Sequence, residues 1–192
     1  MTSHSLRFNS PPKWRNYDNF NYQFFGLVDL CRNISNIFGD SKGLKMLEIG
    51  SYKGESTSIF ASSAIFDEII CIDPFKGEEE KKNIFNEDWS RVKKEFYTNT
   101  RYWDYIKLIQ DYSYNVVENF KDGYFDFIYI DGNHTYESVK QDIKLYLPKC
   151  KTIIGGHDYR TTGWEIEVVK AIHEQLSTPD LTFIDSSWIK YL

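Results

Sequence analysis

The apolar positions of the chain follow two alternating rhythms. Between Asn19 and Phe38, the residues Phe24, Leu27, Val28, Cys31, Ile34 and Phe38 recur at three- and four-residue spacing, which predicts an amphipathic helix stopping near Gly39. Beyond it come short apolar runs rich in β-branched and aromatic side chains: Lys45–Ile49, Ile69–Ile72, Ile106–Ile109, Phe125–Ile130 and Thr152–Ile154. Each has the length and content of a strand. Helical patterns lie between them. Thr135–Leu147 sets Tyr136, Val139, Ile143 and Leu147 on one face, and Glu165–Leu176 does the same with Ile166, Val169, Ile172 and Leu176. Strands separated by helices predict right-handed βαβ units and hence a doubly wound parallel sheet.

The tail breaks this rule. Leu181–Ile184 and Trp188–Leu192 are both strand-like, and only Asp185-Ser186-Ser187 separates them. So short a gap permits only a hairpin, and the last strand must run antiparallel to its neighbour. The expected fold is α/β, a Rossmann-like sheet of seven strands, mostly parallel and closed by an antiparallel strand. Residues 1–18 are polar and carry Pro11 and Pro12, so they are expected to form an arm. Residues 19–192 are expected to form a single domain, since the 192-residue chain is too short for two of ordinary size.

Composition narrows the class of partner. Hydrophobic residues make up 41% and charged residues 27%, the balance of a globular domain. No run reaches the roughly 18 apolar residues of a membrane span, and the N-terminus lacks the apolar core of a secretory signal, so a cytoplasmic location is expected. Cys31, Cys71 and Cys150 are far apart, and Cys71 and Cys150 lie in or beside apolar runs as small hydrophobes would. The net charge of −5 argues against a generally basic surface for nucleic acid. A small-molecule or sugar substrate is the better expectation.

Candidate chemistry begins at the first strand. Lys45 to Thr57 reads as strand, glycine turn and helix start, with Gly50 and Gly54 placed where backbone approaches a ligand closely and Ser51, Tyr52 and Ser56 around the turn. The spacing fits a dinucleotide or another nucleotide-like cofactor. Charge separates them: a pyrophosphate would face Glu48 and Glu55, both repulsive to an anion. S-adenosylmethionine carries a sulfonium and an ammonium and no phosphate, so the same carboxylates favour it. About 20 residues onward an acidic side chain is expected to take the ribose hydroxyls, and Asp73 stands there, before Pro74 and Phe75.

With these pieces in place the chain resembles the class I S-adenosylmethionine-dependent methyltransferases, and within them the metal-dependent sugar O-methyltransferases of the macrocin and mycinamicin type. The resemblance runs from about Leu44 to Ala171 and is strongest at Phe125–Asp142, which contains Ile130-Asp131-Gly132-Asn133-His134, and at Gly155-Gly156-His157-Asp158-Tyr159. It implies that Asp111, Tyr112 and Ser113 border the adenine with Phe75 against the ring. It also implies that Asp131 lies beside the cofactor, that Asp131 and Asp158 bind a divalent metal, and that His134 is the general base. Where such relatives carry a carboxylate before the second aspartate, this chain has His157, a third candidate ligand. Magnesium prefers oxygen ligands, and manganese, iron or zinc would accept an imidazole more readily.

Other readings of the same residues stay open. Asp131 can instead cap the helix starting near Thr135, and the two histidines can be hydrogen-bonding loop residues. The whole chain can be a catalytically silent cofactor-binding or interaction domain, or an NAD-dependent oxidoreductase on a similar sheet.

Overall fold

The computed structural model describes residues 20–76, 87–161, 163 and 166–192. The expected arm lies outside the described residues. The first helix is α1 (Phe20–Phe38), followed by β1 (Lys45–Ile49), α2 (Glu55–Ser62), β2 (Glu68–Ile72), α3 (Trp89–Thr100) and β3 (Ile106–Ile109). The second half runs α4 (Ser113–Val116), β4 (Phe125–Ile130), α5 (Tyr136–Tyr146), β5 (Cys150–Gly156), α6 (Ile166–Leu176), β6 (Leu181–Thr182) and β7 (Trp188–Tyr191).

The strands form one seven-stranded sheet in the order β3-β2-β1-β4-β5-β7-β6. The first five pair in parallel, and β7 enters antiparallel between β5 and β6. The hairpin therefore closes the sheet as the short Asp185–Ser187 connection requires. Order reverses between β1 and β4, which makes their C-terminal ends the switch point where an open α/β sheet parts to admit a ligand.

Alternation along the strands feeds two cores. Met46, Ile69, Cys71, Phe127, Tyr129 and Ile153 pack with Leu27, Ile34, Phe60 and Phe96 from α1, α2 and α3. Leu47, Ile70, Ile72, Ile128, Ile130 and Ile154 face the other way, onto Val116, Val139, Ile143, Val168 and Ile172 from α4, α5 and α6. Burial on both faces explains why the central strands read as continuous apolar runs. The three cysteines are free thiols and all buried. Burial pushes the Cys31 thiol up to about 12, as suits a packing residue.

One packing detail differs from expectation, and one of the open readings does not hold. Ile166 opens α6 with 54% of its surface exposed, and the helix buries Val168, Val169, Ala171 and Ile172 instead. The face is rotated because the helix must follow both the sheet and α5. At the start of α5, Thr135 is the cap, its side chain accepting the Ser138 N–H. Asp131 does not cap it and is left for other work. Among the described residues no helix is long and apolar enough to cross a membrane.

Candidate active site

One backbone pattern builds the site. At the C-terminal edge, the residue after four of the five parallel strands donates its N–H to the last carbonyl of the neighbouring strand. Asp73 bonds to Ile109, Gly50 to Ile72, Asp131 to Ile49 and His157 to Ile130, at 2.8–3.2 Å. The loops thus leave the sheet in register, side by side. At the switch point the fit is close. A Cβ on Gly50 would lie 2.1 Å from the Asp131 carbonyl oxygen, and Gly50 has φ +86. Only glycine fits both constraints.

The glycine turn is braced from beneath. Glu48 is completely buried, one carboxylate oxygen accepting from the Ser56 hydroxyl at 2.5 Å and the other from Thr57. Burial raises its pKa to about 7, against the pull of those hydroxyls. Here expectation needs correction. Glu48 has no surface with which to meet an ammonium or sulfonium, and Ser56 is turned toward Glu48, so both hold the loop's shape. Ser51 is also buried, its hydroxyl in no well-formed hydrogen bond. Tyr52 has φ 45 and donates its N–H to Asp73 at 2.7 Å, while its phenol reaches Glu87. Gly54 caps α2 in a left-handed conformation, with Phe96 and Thr100 of α3 closing over it.

Asp73 stands at the end of β2 with one oxygen on the Tyr52 N–H and the other on the Phe75 N–H, each at 2.7 Å. Burial raises its pKa, and those two bonds oppose the rise. Its carboxylate is held in one place and keeps spare lone pairs for further donors. Phe75 is a second correction. With 4% of its surface exposed, and packed edge-on against Phe96 at 6.1 Å, it has almost no face left for an adenine. After β3, Asp111 accepts from the Tyr112 N–H and from Asn115, and Ser113 donates to the buried Asp142. Tyr112 stacks on Tyr114 with ring centroids 5.3 Å apart, a flat surface beside the loop.

The strand ends of β4 and β5 bring the second group together. His134 Nε2 lies 2.9 Å from Asp158 Oδ2 and 3.5 Å from Asp131 Oδ1. Asp131, His134 and Asp158 offer ligand atoms that all lie within 4.8 Å of one another. Asp158 takes φ 61, uncommon for a residue with a Cβ and a conformation that recurs at functional sites. His157 is not one of the three residues in that cluster, but its Nδ1 lies 3.1 Å from Asp158 Oδ1 and 3.9 Å from Asp131 Oδ1. Both imidazoles therefore border the two carboxylates, His134 from the loop before α5 and His157 from the end of β5.

Electrostatics follow from this geometry. Burial disfavours charge on His134, yet hydrogen bonds to Asp131 and Asp158 outweigh it and lift its pKa to about 10. His157 rises to about 9, where burial is again outweighed, here by Asp131 and Asp158. Asp158 is held far below the carboxylate range by the two histidines, despite burial. Without a cation among them, the carboxylates keep both rings protonated near neutral pH.

A glycine turn, a strand-end aspartate and an acidic cluster at the switch point are the layout in which comparison with known proteins becomes decisive. Residues 47–159 match the model of a family described as a methyltransferase domain. The chain belongs to this family. It carries a methyltransferase domain, and the matched segment contains the glycine turn, Asp73, Asp131, His134 and Asp158. A mimivirus protein, uncharacterized protein R132 of Acanthamoeba polyphaga mimivirus, is 29% identical over 160 residues, 76% of this chain and 64% of the relative. Uncharacterized protein y4gI of Sinorhizobium fredii is 24% identical over 59% of this chain, which spans only 13% of that relative. Among solved structures, a Staphylococcus aureus protein assigned as a caffeoyl-CoA O-methyltransferase superposes with a TM-score of 0.57 at 17% identity, covering 84% of this chain and 80% of that one. Cofactor-bound Rv0187 from MTB gives 0.57 at 12%, covering 94% and 81%. At such identities these structures speak for the fold alone.

Sequence reasoning missed Asp185, a buried carboxylate of the hairpin turn 4.0 Å from His157 Nε2. Its only signal was an aspartate in a tight turn, which turn chemistry explains without a site.

Proposed function

We propose that this methyltransferase acts on a hydroxyl oxygen of a sugar or another small molecule, at a centre formed by Asp131, His134 and Asp158 with a divalent cation. The observation that carries the reading is the convergence of these three side chains next to Gly50, whose Cα abuts the Asp131 carbonyl. The resemblance to macrocin- and mycinamicin-type enzymes points the same way. The donor set fits a cation: Asp131 and Asp158 would supply the carboxylate oxygens that magnesium or manganese accepts, and His134, left uncoordinated, keeps its ring nitrogen for the acceptor proton. When bound, the cation lowers the pKa of the acceptor hydroxyl and offsets the negative charge that keeps a proton on His134.

The chain's own residues supply the rest. Gly50, turned against the Asp131 carbonyl, and Gly54, turned against α3, shape the loop whose backbone faces the methionine part of the cofactor, and Asp73, fixed by the Tyr52 and Phe75 N–H groups, accepts from the ribose hydroxyls. His134 receives the acceptor proton as the oxygen attacks. Methyl transfer requires sulfur, carbon and oxygen in line, so the rigid strand-end register contributes through positioning.

The test is methyl transfer from labelled S-adenosylmethionine to a panel of sugar and phenolic hydroxyls, with and without chelator. Removal of metal should abolish turnover and manganese should restore it. His134→Ala should retain S-adenosylhomocysteine binding yet lose about 100-fold or more in rate, the usual worth of a general base. Undiminished activity in chelator would remove the metal, and undiminished activity of His134→Ala would remove the base. Binding of the homocysteine product with no turnover on any acceptor would favour a silent domain.

A further inference from the structure

The turn between β6 and β7 carries a carboxylate that the scheme above does not use. The Asp185 side chain is entirely buried. Its Oδ1 accepts the Ser187 N–H at 3.1 Å and its Oδ2 the Ser187 hydroxyl at 2.7 Å. Ser187 in turn meets the Tyr129 phenol of β4 at 2.9 Å. From the other side α1 closes over it: a Cβ on Gly26 would lie 2.1 Å from Asp185 Oδ1. Three separate elements leave a space that this carboxylate fills.

A buried carboxylate is costly unless it meets a partner. An asparagine would keep the Ser187 N–H bond through its one acceptor oxygen, and its amide N–H can donate to the Ser187 hydroxyl in place of the bond accepted now, so the turn alone does not call for a charge. His157 does. Its Nε2 is buried with no hydrogen-bond partner and faces Asp185 Oδ2 at 4.0 Å, while its Nδ1 lies against Asp158. The imidazole thus stands between a carboxylate of the candidate centre and one rooted in the hairpin. Asp158, held at positive φ, needs such external support to keep one orientation.

We propose that Asp185 is a positioning residue: from the hairpin it fixes the ring of His157, and through that ring the carboxylate that Asp158 presents to the centre. Its effect on a cation rests on the metal reading above, while its effect on His157 does not. Partners that orient ligands from behind are worth about 10- to 100-fold in metal affinity.

The test compares Asp185→Asn with the wild type. In the metal-free protein, the ring nitrogen resonances of His157 should shift in the variant. Manganese affinity by calorimetry should fall by about 10- to 100-fold, with S-adenosylhomocysteine affinity retained. In a His157→Ala background the same substitution should cost no further manganese affinity, since its route of action is gone. An unchanged His157 spectrum overturns the proposal, and so does a loss that adds in full to that of His157→Ala. If the wild type binds no manganese, the metal reading falls and the His157 spectrum alone decides. If Asp185→Asn does not fold, Ser187→Ala, which keeps the charge and frees Asp185 Oδ2 for His157, should shift the His157 resonances in the opposite sense, and an unchanged spectrum there overturns the proposal.

Discussion

Glu48 lies at the end of β1 with both carboxylate oxygens committed, one to Ser56 and the other to Thr57. Because burial lifts its pKa to about 7, an amide can stand in for it at neutral pH. Glu48→Gln should fold with little loss, whereas Glu48→Ala, which strands the buried Thr57 hydroxyl and the half-buried Ser56 hydroxyl, should cost about 1–3 kcal/mol in urea denaturation. Equal costs would mean that the hydroxyl bonds contribute nothing. His134 and His157 make a second residue-scale prediction. Their folded pKa values of about 10 and 9 lie above the ordinary histidine value, so the stabilisation is complete below pH about 6.5. It is lost as pH rises through 9 and 10. The urea midpoint of the metal-free protein should therefore fall between pH 7 and 10, and His134→Ala should flatten that slope. Identical slopes would show that the imidazolium–carboxylate contacts are absent. The sequence showed that these side chains were polar residues at strand ends, and the resemblance named their chemistry. It did not show that Glu48 faces inward or that Phe75 packs on Phe96, because a side chain's direction depends on neighbours far along the chain.

Elements were the most legible scale. Strand boundaries of β1, β3 and β4 follow the apolar runs residue for residue, and the short turn before β7 dictated its antiparallel course. Less legible was the contact between elements. Gly50 reads in the sequence as a turn glycine, yet its tighter constraint is the Asp131 carbonyl on β4's exit, 81 residues away. Gly50→Ala should cost at least about 1–3 kcal/mol from backbone strain alone, and the collision should further part β1 from β4 and abolish S-adenosylhomocysteine binding. Gly39 supplies the control, since it also has positive φ but nothing lies within 4 Å of its Cβ position. Gly39→Ala should show the strain in its denaturation midpoint and keep cofactor affinity. Matching losses of binding in both would deny the close approach its importance. α6 carries the same lesson in packing: its apolar periodicity was plain, but the rotation that exposes Ile166 is set by α5 and the sheet together.

For the molecule as a whole, the cofactor should stabilise what it binds. S-adenosylhomocysteine at about 100 times its Kd should add about 2.7 kcal/mol, a rise in Tm of about 5–11 °C for a domain of this size, while NAD should give none. A shift with NAD alone would reverse the choice between the two ligands that Glu48 and Glu55 suggested. Periodicity and turn length, which are local properties, were enough to determine the seven-strand order of secondary structure and the reversed last strand. Motif spacing was enough to mark the loops that end at Gly50, Asp73, Asp131 and Asp158, since residues at strand ends share one edge in any parallel sheet. Tertiary structure alone decided that both imidazoles border the two carboxylates, which carboxylate is buried beneath them, and that a glycine of the first helix makes room for a turn near the C-terminus. Those facts depend on distances between segments that no local pattern encodes, and they are fixed only when both faces of the sheet are packed.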